Sequence, residues 1–230
     1  MKRGLQGHHA TVSMVGKTVK AFIPDSLPPS PALEMAGDLQ KKRDEPSYLL
    51  GKLDGVANLL PDVGVLLYMF IRKEAVLSSQ IEGPQSPLFD LLLFELKEKP
   101  SMPVDDVQEV SNYVAAMTYG LKRLGEGFPL SLHLIRKIHA ELLAKGCGSS
   151  KILKNSGTAR TGLAVPVREM RFSCRPRRKR RQDAWANEEM HDESASLLVK
   201  AALSHVQFET IHPFLNGNGR VGRLLITLLL

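Results

Sequence analysis

Apolar residues recur along this chain with a helical period over most of its length. Val107, Val110, Val114, Met117, Leu121 and Leu124 fall at helical spacing, which predicts an amphipathic helix opened by Asp105 and Asp106. Phe128-Pro129 makes a turn, and Ser131 is placed to cap a following helix. That helix should bury Leu132, Ile135, Ile138 and Leu142 and end at Gly146. Its His133 and His139 have no ligand partner at i+4 and read as surface or core histidines. Upstream, the pattern predicts helices over 32–43 and 47–59, and a longer one over 62–81 that Gly83-Pro84 stops. The broad apolar face of this longer helix reads as core. Near the C-terminus, Leu198, Ala201, His205, Phe208 and Ile211 form another stripe, which should stop at His212 because Pro213 disfavours helical dihedrals before it. A last helix should start near Gly219 and carry Leu224, Leu225 and Leu228. Residues 1–31 look extended and irregular. The expected fold class is all-α.

Composition narrows the setting. A chain of 230 residues can bury a sizeable core. Two cysteines, Cys147 and Cys174, argue against a disulfide framework and for a reducing cytoplasm. No apolar run reaches the roughly 20 residues that span a bilayer, so no membrane role is expected. The net charge of +7 is concentrated: residues 152–187 hold ten basic side chains against two acidic ones. This stretch reads as a basic loop or a nucleic-acid patch, and it makes nucleic-acid binding the least favoured function for the chain as a whole.

The chemistry is carried by His212 to Arg223, which reads HPFLNGNGRVGR. Gly217, Asn218 and Gly219 suit a tight turn with positive φ, and consecutive N–H groups leading into a helix N-terminus make an anion-binding concavity. Arg220 and Arg223 share a face in the first turn of that helix, where the macrodipole disfavours cations. A bound polyphosphate accounts for their placement. A histidine beside such a cradle suits a general base for phosphoryl or nucleotidyl transfer. A Gly-Asn-Gly turn before an arginine is common by itself; the whole constellation is specific.

The stretch resembles the motif of the Fic family, HPF-x-[D/E]-GNGR-x-x-R, at every fixed position but Asn216, where the family has an acid. A second stretch, Ser78 to Gly83, resembles the family's inhibitory motif [S/T]-x-x-x-E-[G/N] at Ser78, Glu82 and Gly83; without the resemblance, Glu82 is a solvated glutamate at a helix end. The likeness runs from about residue 26 to 146 and resumes at about 191. It implies an N-terminal Fic-associated region over 1–100 and a catalytic core over 101–230. It also implies a protein adenylyltransferase that moves AMP from ATP to a Ser, Thr or Tyr hydroxyl of a target protein. In that scheme His212 is the base and Phe214 anchors the loop. Gly217, Asn218 and Gly219 cradle the α- and β-phosphates, Arg220 holds the β-phosphate and Arg223 the γ-phosphate. Glu82 pairs with Arg223 and keeps the enzyme restrained. Asn216 takes the place of the Mg²⁺-binding acid, and an amide brings no charge, so weak metal binding is expected. His205 and Glu209 read as packing or supporting residues. A homodimer is open.

Two features depart from the family. Residues 152–187 should carry a β-hairpin flap that positions the target, and that sequence is missing. A permissible codon choice for 158–178, read one register over, encodes a flap-like Asn-Trp-Ile-Gly-Gly-Thr-Arg-Pro-Gly-Asn peptide followed by four prolines, so a pair of compensating frameshifts is one explanation. The nucleotide sequence decides it. The chain also ends at Leu230 within an apolar helix, which reads as a fragment. Both features, with Asn216, favour the rival reading of a catalytically impaired module that binds nucleotide or protein.

Overall fold

The computed structural model of the chain describes residues 6–14, 17–25, 27–144, 196–214 and 216–230. The flap interval and basic run at 152–187 lie outside them, as do both cysteines and Gly146. Seven helices occur among the described residues: α1 Asp38–Ala57, α2 Val63–Glu82, α3 Leu88–Glu95, α4 Val104–Gly125, α5 Leu132–Leu142, α6 Leu197–Ile211 and α7 Asn218–Leu229. The fold is helical, as the periodicity predicts. None of these helices is long and apolar enough to cross a membrane.

The core forms where the stripes meet. Val107, Val110, Tyr113 and Met117 of α4 face Ile138 and Leu142 of α5 and Val221, Leu224 and Leu225 of α7, all fully or almost fully buried. Gly120 opens α4 to its neighbours. A Cβ there would stand 3.0 Å from Leu228 Cδ1 and 3.2 Å from Ile138 Cδ1. The C-terminal half of α2 joins this core through Ala75 and Val76, which brings Ser78 and Glu82 close to α7. Asp62 caps α2, accepting from the Gly64 N–H at 2.7 Å, and Ser131 caps α5 as expected. α2 is tied to α3 by the Arg72–Glu95 pair at 2.9 Å.

The loop between α3 and α4 is fixed by a buried carboxylate. Asp90 accepts from Ser101 Oγ at 2.7 Å, from the Ser101 N–H at 3.1 Å and from the Met102 N–H at 3.0 Å. The Ser101 hydroxyl is the main cause that holds the Asp90 carboxyl below its ordinary range, with the two backbone N–H groups adding to it against burial. A depressed folded-state value means the stability is present above the unfolded carboxyl range, near pH 4, and is lost as pH falls through the folded value. Urea midpoints of the wild type should therefore fall more steeply below about pH 4 than those of Asp90→Asn.

Four expectations are corrected. Residues 7–24 are not irregular but form an antiparallel hairpin, β1 Gly7–Met14 with β2 Lys17–Pro24, in the register Gly7 to Pro24. Alternating apolar and polar positions on both sides of Val15-Gly16 carry that signal. The helices expected over 32–43 and 47–59 are one helix, α1, which runs through Pro46. Proline removes one backbone donor without ending the helix, and Ser47 Oγ donates to the Arg43 carbonyl at 2.8 Å. Leu88–Glu95, assigned no element from the pattern, is helical. The first half of α2 is not core: Val65, Leu67 and Phe70 are each more than half exposed, and α1 buries no residue. An apolar stripe predicts a helix, but it does not state how much of its length a partner covers.

Candidate functional site

The site is built at the break between α6 and α7. Pro213 disfavours the right-handed helical region at His212, which caps α6 in the left-handed conformation (φ 48°, ψ 59°) with its N–H still donating to the Phe208 carbonyl at 2.9 Å. That backbone choice turns the chain out of α6 and leaves the imidazole 61% exposed. Asn218, buried at the start of α7, then closes the loop on itself. Its Oδ1 accepts from the Phe214 N–H at 2.9 Å, and its Nδ2 donates to the Phe214 carbonyl at 2.6 Å. Phe214 stacks on His139 of α5 at 3.7 Å between nearly parallel rings, and His139 Nε2 lies 2.9 Å from the Asn216 carbonyl. Only Gly217 of the Gly-Asn-Gly turn has positive φ (78°); Asn218 and Gly219 are already helical. A Cβ on Gly217 would approach Leu142 to 3.3 Å, so glycine lets this turn sit against α5.

A cavity of about 380 Å³ opens here, lined by His212, Asn216, Gly217, Asn218 and Gly219 together with His205, Glu209, Arg223 and Glu82. The two arginines part company. Arg223 Nε donates to Ser78 Oγ at 2.7 Å and its Nη2 to the Ser78 carbonyl at 3.0 Å, while Nη2 pairs with Glu82 Oε1 at 2.8 Å. Arg220 is 4% exposed and is absent from the cavity wall. Its guanidinium turns to Glu109 of α4, 3.1 Å away. A helical spacing of three leaves two side chains about 60° apart, enough for one to face α2 and the other α4.

Glu82 holds a particular place. Gly83, with φ 129°, ends α2 directly after it. The carboxylate rests on the first turn of α7, so close to Gly219 that a Cβ there would overlap Oε1. The free N–H groups and the dipole of a helix N-terminus attract an anion, and here a side-chain carboxylate supplies it. Behind Arg223, burial pushes the Glu74 carboxyl up, opposed by the Tyr113 hydroxyl and the Arg223 charge, and burial likewise raises the Tyr113 phenol. Sequence reading missed Glu74, Glu109 and Tyr113, and it gave His139 no place in the site. All four act across long separations, and only the acid or ring itself was visible.

Two family models match the chain: the Fic/DOC family N-terminal model over residues 41–122 and the Fic/DOC family model over residues 129–230. The chain belongs to the Fic family. Its fold is also that of solved Fic structures. A Fic family protein from Desulfovibrio desulfuricans G20 matches with a TM-score of 0.58 at 20% identity, over 86% of this chain and 58% of that one. Fic-1 from C. elegans matches with a TM-score of 0.53 at 21% identity, over 84% of this chain and 61% of that one. The chain thus spans about three fifths of the length of the solved Fic chains it matches. Fic proteins generally transfer nucleotidyl groups to proteins.

Asn216 stands where the motif resemblance places an acid, and its amide oxygen is engaged: Oδ1 accepts from the Gly217 N–H at 2.8 Å. Among the described residues no group of three His, Cys, Asp or Glu side chains is arranged to hold a metal. A neutral amide turned into its own loop does not fit Mg²⁺, which relies on carboxylates and substrate phosphates.

Proposed function

We propose that the chain is a Fic-type protein adenylyltransferase, restrained by Glu82 and weakened by Asn216. The observation that carries this reading is the convergence on one cavity of the exposed His212 imidazole, the N-terminus of α7 and Arg223. The target would be a protein hydroxyl. His212 takes the hydroxyl proton while the oxygen attacks the α-phosphorus of ATP; the bond to the bridging oxygen breaks, and pyrophosphate leaves with the electron pair. The N-terminus of α7 and Arg223 would stabilise phosphate charge as it redistributes. Arg220, bound to Glu109, would support α7 from behind rather than touch nucleotide.

The test is ATP labelled at either the α- or the γ-phosphate, offered to the chain with a mixture of folded proteins. Protein-bound label from α-labelled ATP and none from γ-labelled ATP is expected. Asn216→Asp should raise that transfer about tenfold and make it depend on Mg²⁺, because a carboxylate restores charge to the metal position. Equal transfer and equal Mg²⁺ dependence in the two proteins would count against the role given to Asn216. A second reading, a nucleotide-binding module without transfer, is favoured by the engaged amide of Asn216. Binding of ATP without label transfer in either protein would select it.

A further inference from the structure

His205 and Glu209 stand at i and i+4 on one face of α6, His212 caps that helix, and all three line the cavity. Glu209 Oε2 lies 3.7 Å from His212 Nδ1. Its other oxygen, Oε1, is buried without a hydrogen-bond partner, and so is His205 Nδ1. These two atoms close on one place beside α7. A Cβ on Gly222 would overlap Glu209 Oε1 and come within 3.1 Å of His205 Nδ1. The carboxylate is thus wedged between α6 and α7, one oxygen toward His205 and the other toward His212. Buried polar atoms in native proteins almost always find partners, and a carboxylate oxygen beside a ring N–H is a complementary pair.

We propose that Glu209 is a positioning residue for His212. Its Oε2 accepts a hydrogen bond from Nδ1–H and fixes the neutral imidazole in the tautomer that leaves Nε2 bare to take a proton. The other oxygen is buried beside Gly222 on the same side as His205 Nδ1, with no hydrogen bond joining the two atoms. The separation of 3.7 Å is longer than a hydrogen bond, and the imidazole is 61% exposed, so the contact is loose in the absence of substrate. Catalytic hydrogen bonds are commonly loose before substrate arrives. Which ring nitrogen carries the proton is set by the bond the other one makes, and a carboxylate in this role orients a base without itself being protonated. This inference rests on the reading of His212 as the base.

The test uses ring ¹⁵N chemical shifts of His212 in the full chain without nucleotide, at a pH where the ring is neutral. The wild type should show the Nδ1–H form. Glu209→Met, which keeps the volume and removes the acceptor, should shift the population toward Nε2–H, and Glu209→Gln, whose amide oxygen still accepts, should retain Nδ1–H. In AMP transfer, Glu209→Met should lower kcat about 10²-fold with the KM for ATP unchanged, and Glu209→Gln should recover most of that loss. Identical His212 ring shifts in the wild type and Glu209→Met overturn the proposal, as does a Glu209→Gln protein that follows Glu209→Met. A tautomer shift in a chain that transfers no AMP supports the proposal and counts against the catalytic reading alone.

Discussion

Replacing His212 with alanine is expected to reduce AMP transfer by about 10²- to 10⁴-fold while leaving ATP binding within a factor of about two. The imidazole meets the cavity from the end of α6, whereas the groups suited to phosphate, the N-terminus of α7 and Arg223, belong to the next helix. Loss of the base therefore removes an interaction made only as the proton moves, which lowers kcat and spares KM. The backbone at His212 is left-handed, a conformation that asparagine adopts more readily than alanine. His212→Asn thus provides a second form of the test with the loop geometry protected. Label transfer and calorimetric ATP titration on both variants give the answer. Retention of transfer in the asparagine protein would remove His212 from the chemistry.

The second large effect is at Glu82. Glu82→Gly should strengthen ATP binding about tenfold, equivalent to about 1.4 kcal/mol, and raise transfer in step. Two contributions add. The Arg223 guanidinium loses its carboxylate partner at 2.8 Å but stays held by Ser78 Oγ and the Ser78 carbonyl, so it is freed for an anion without being unmoored. Exposed pairs contribute up to about 1 kcal/mol, and this one is partly shielded, with 20% and 35% side-chain exposure. The first turn of α7 also loses a negative charge that a phosphate would have to displace. Glu82→Gln separates charge from volume: it should reproduce most of the gain in affinity. Unchanged ATP affinity in both variants would show that the clasp does not restrain the site.

Much of this arrangement is legible in the sequence, and what is not has a physical reason. α4, α5 and the break at His212 announce themselves because their determinants are local: helical periods, a serine cap, a proline one residue on. The Glu82–Arg223 contact, 141 residues apart in sequence, came from motif resemblance and not from any pattern within the chain. Arg220 looks equivalent to Arg223 in sequence, yet one is buried on Glu109 and the other reaches the cavity. Only the placement of α4 and α2 around α7 distinguishes them. His139 shows the same limit. It carries no ligand spacing along its helix, and its importance lies in stacking on Phe214, a residue in a different part of the chain. The hairpin was missed because short alternation amid polar residues resembles irregular chain until its partner strand is considered.

Gly219 has a consequence for how this restraint could be altered over generations. The atom that would clash with Glu82 belongs to the same turn that would face phosphate, so the proposed brake and the proposed cradle share one surface. A side chain at Gly219 would displace Glu82 and obstruct the anion site together, leaving a lineage neither restraint nor function. Changes in α2 are free of that conflict. Substitutions at Glu82 or Ser78 would alter the contact with Arg223 from α2 and leave the turn at Gly219 unchanged.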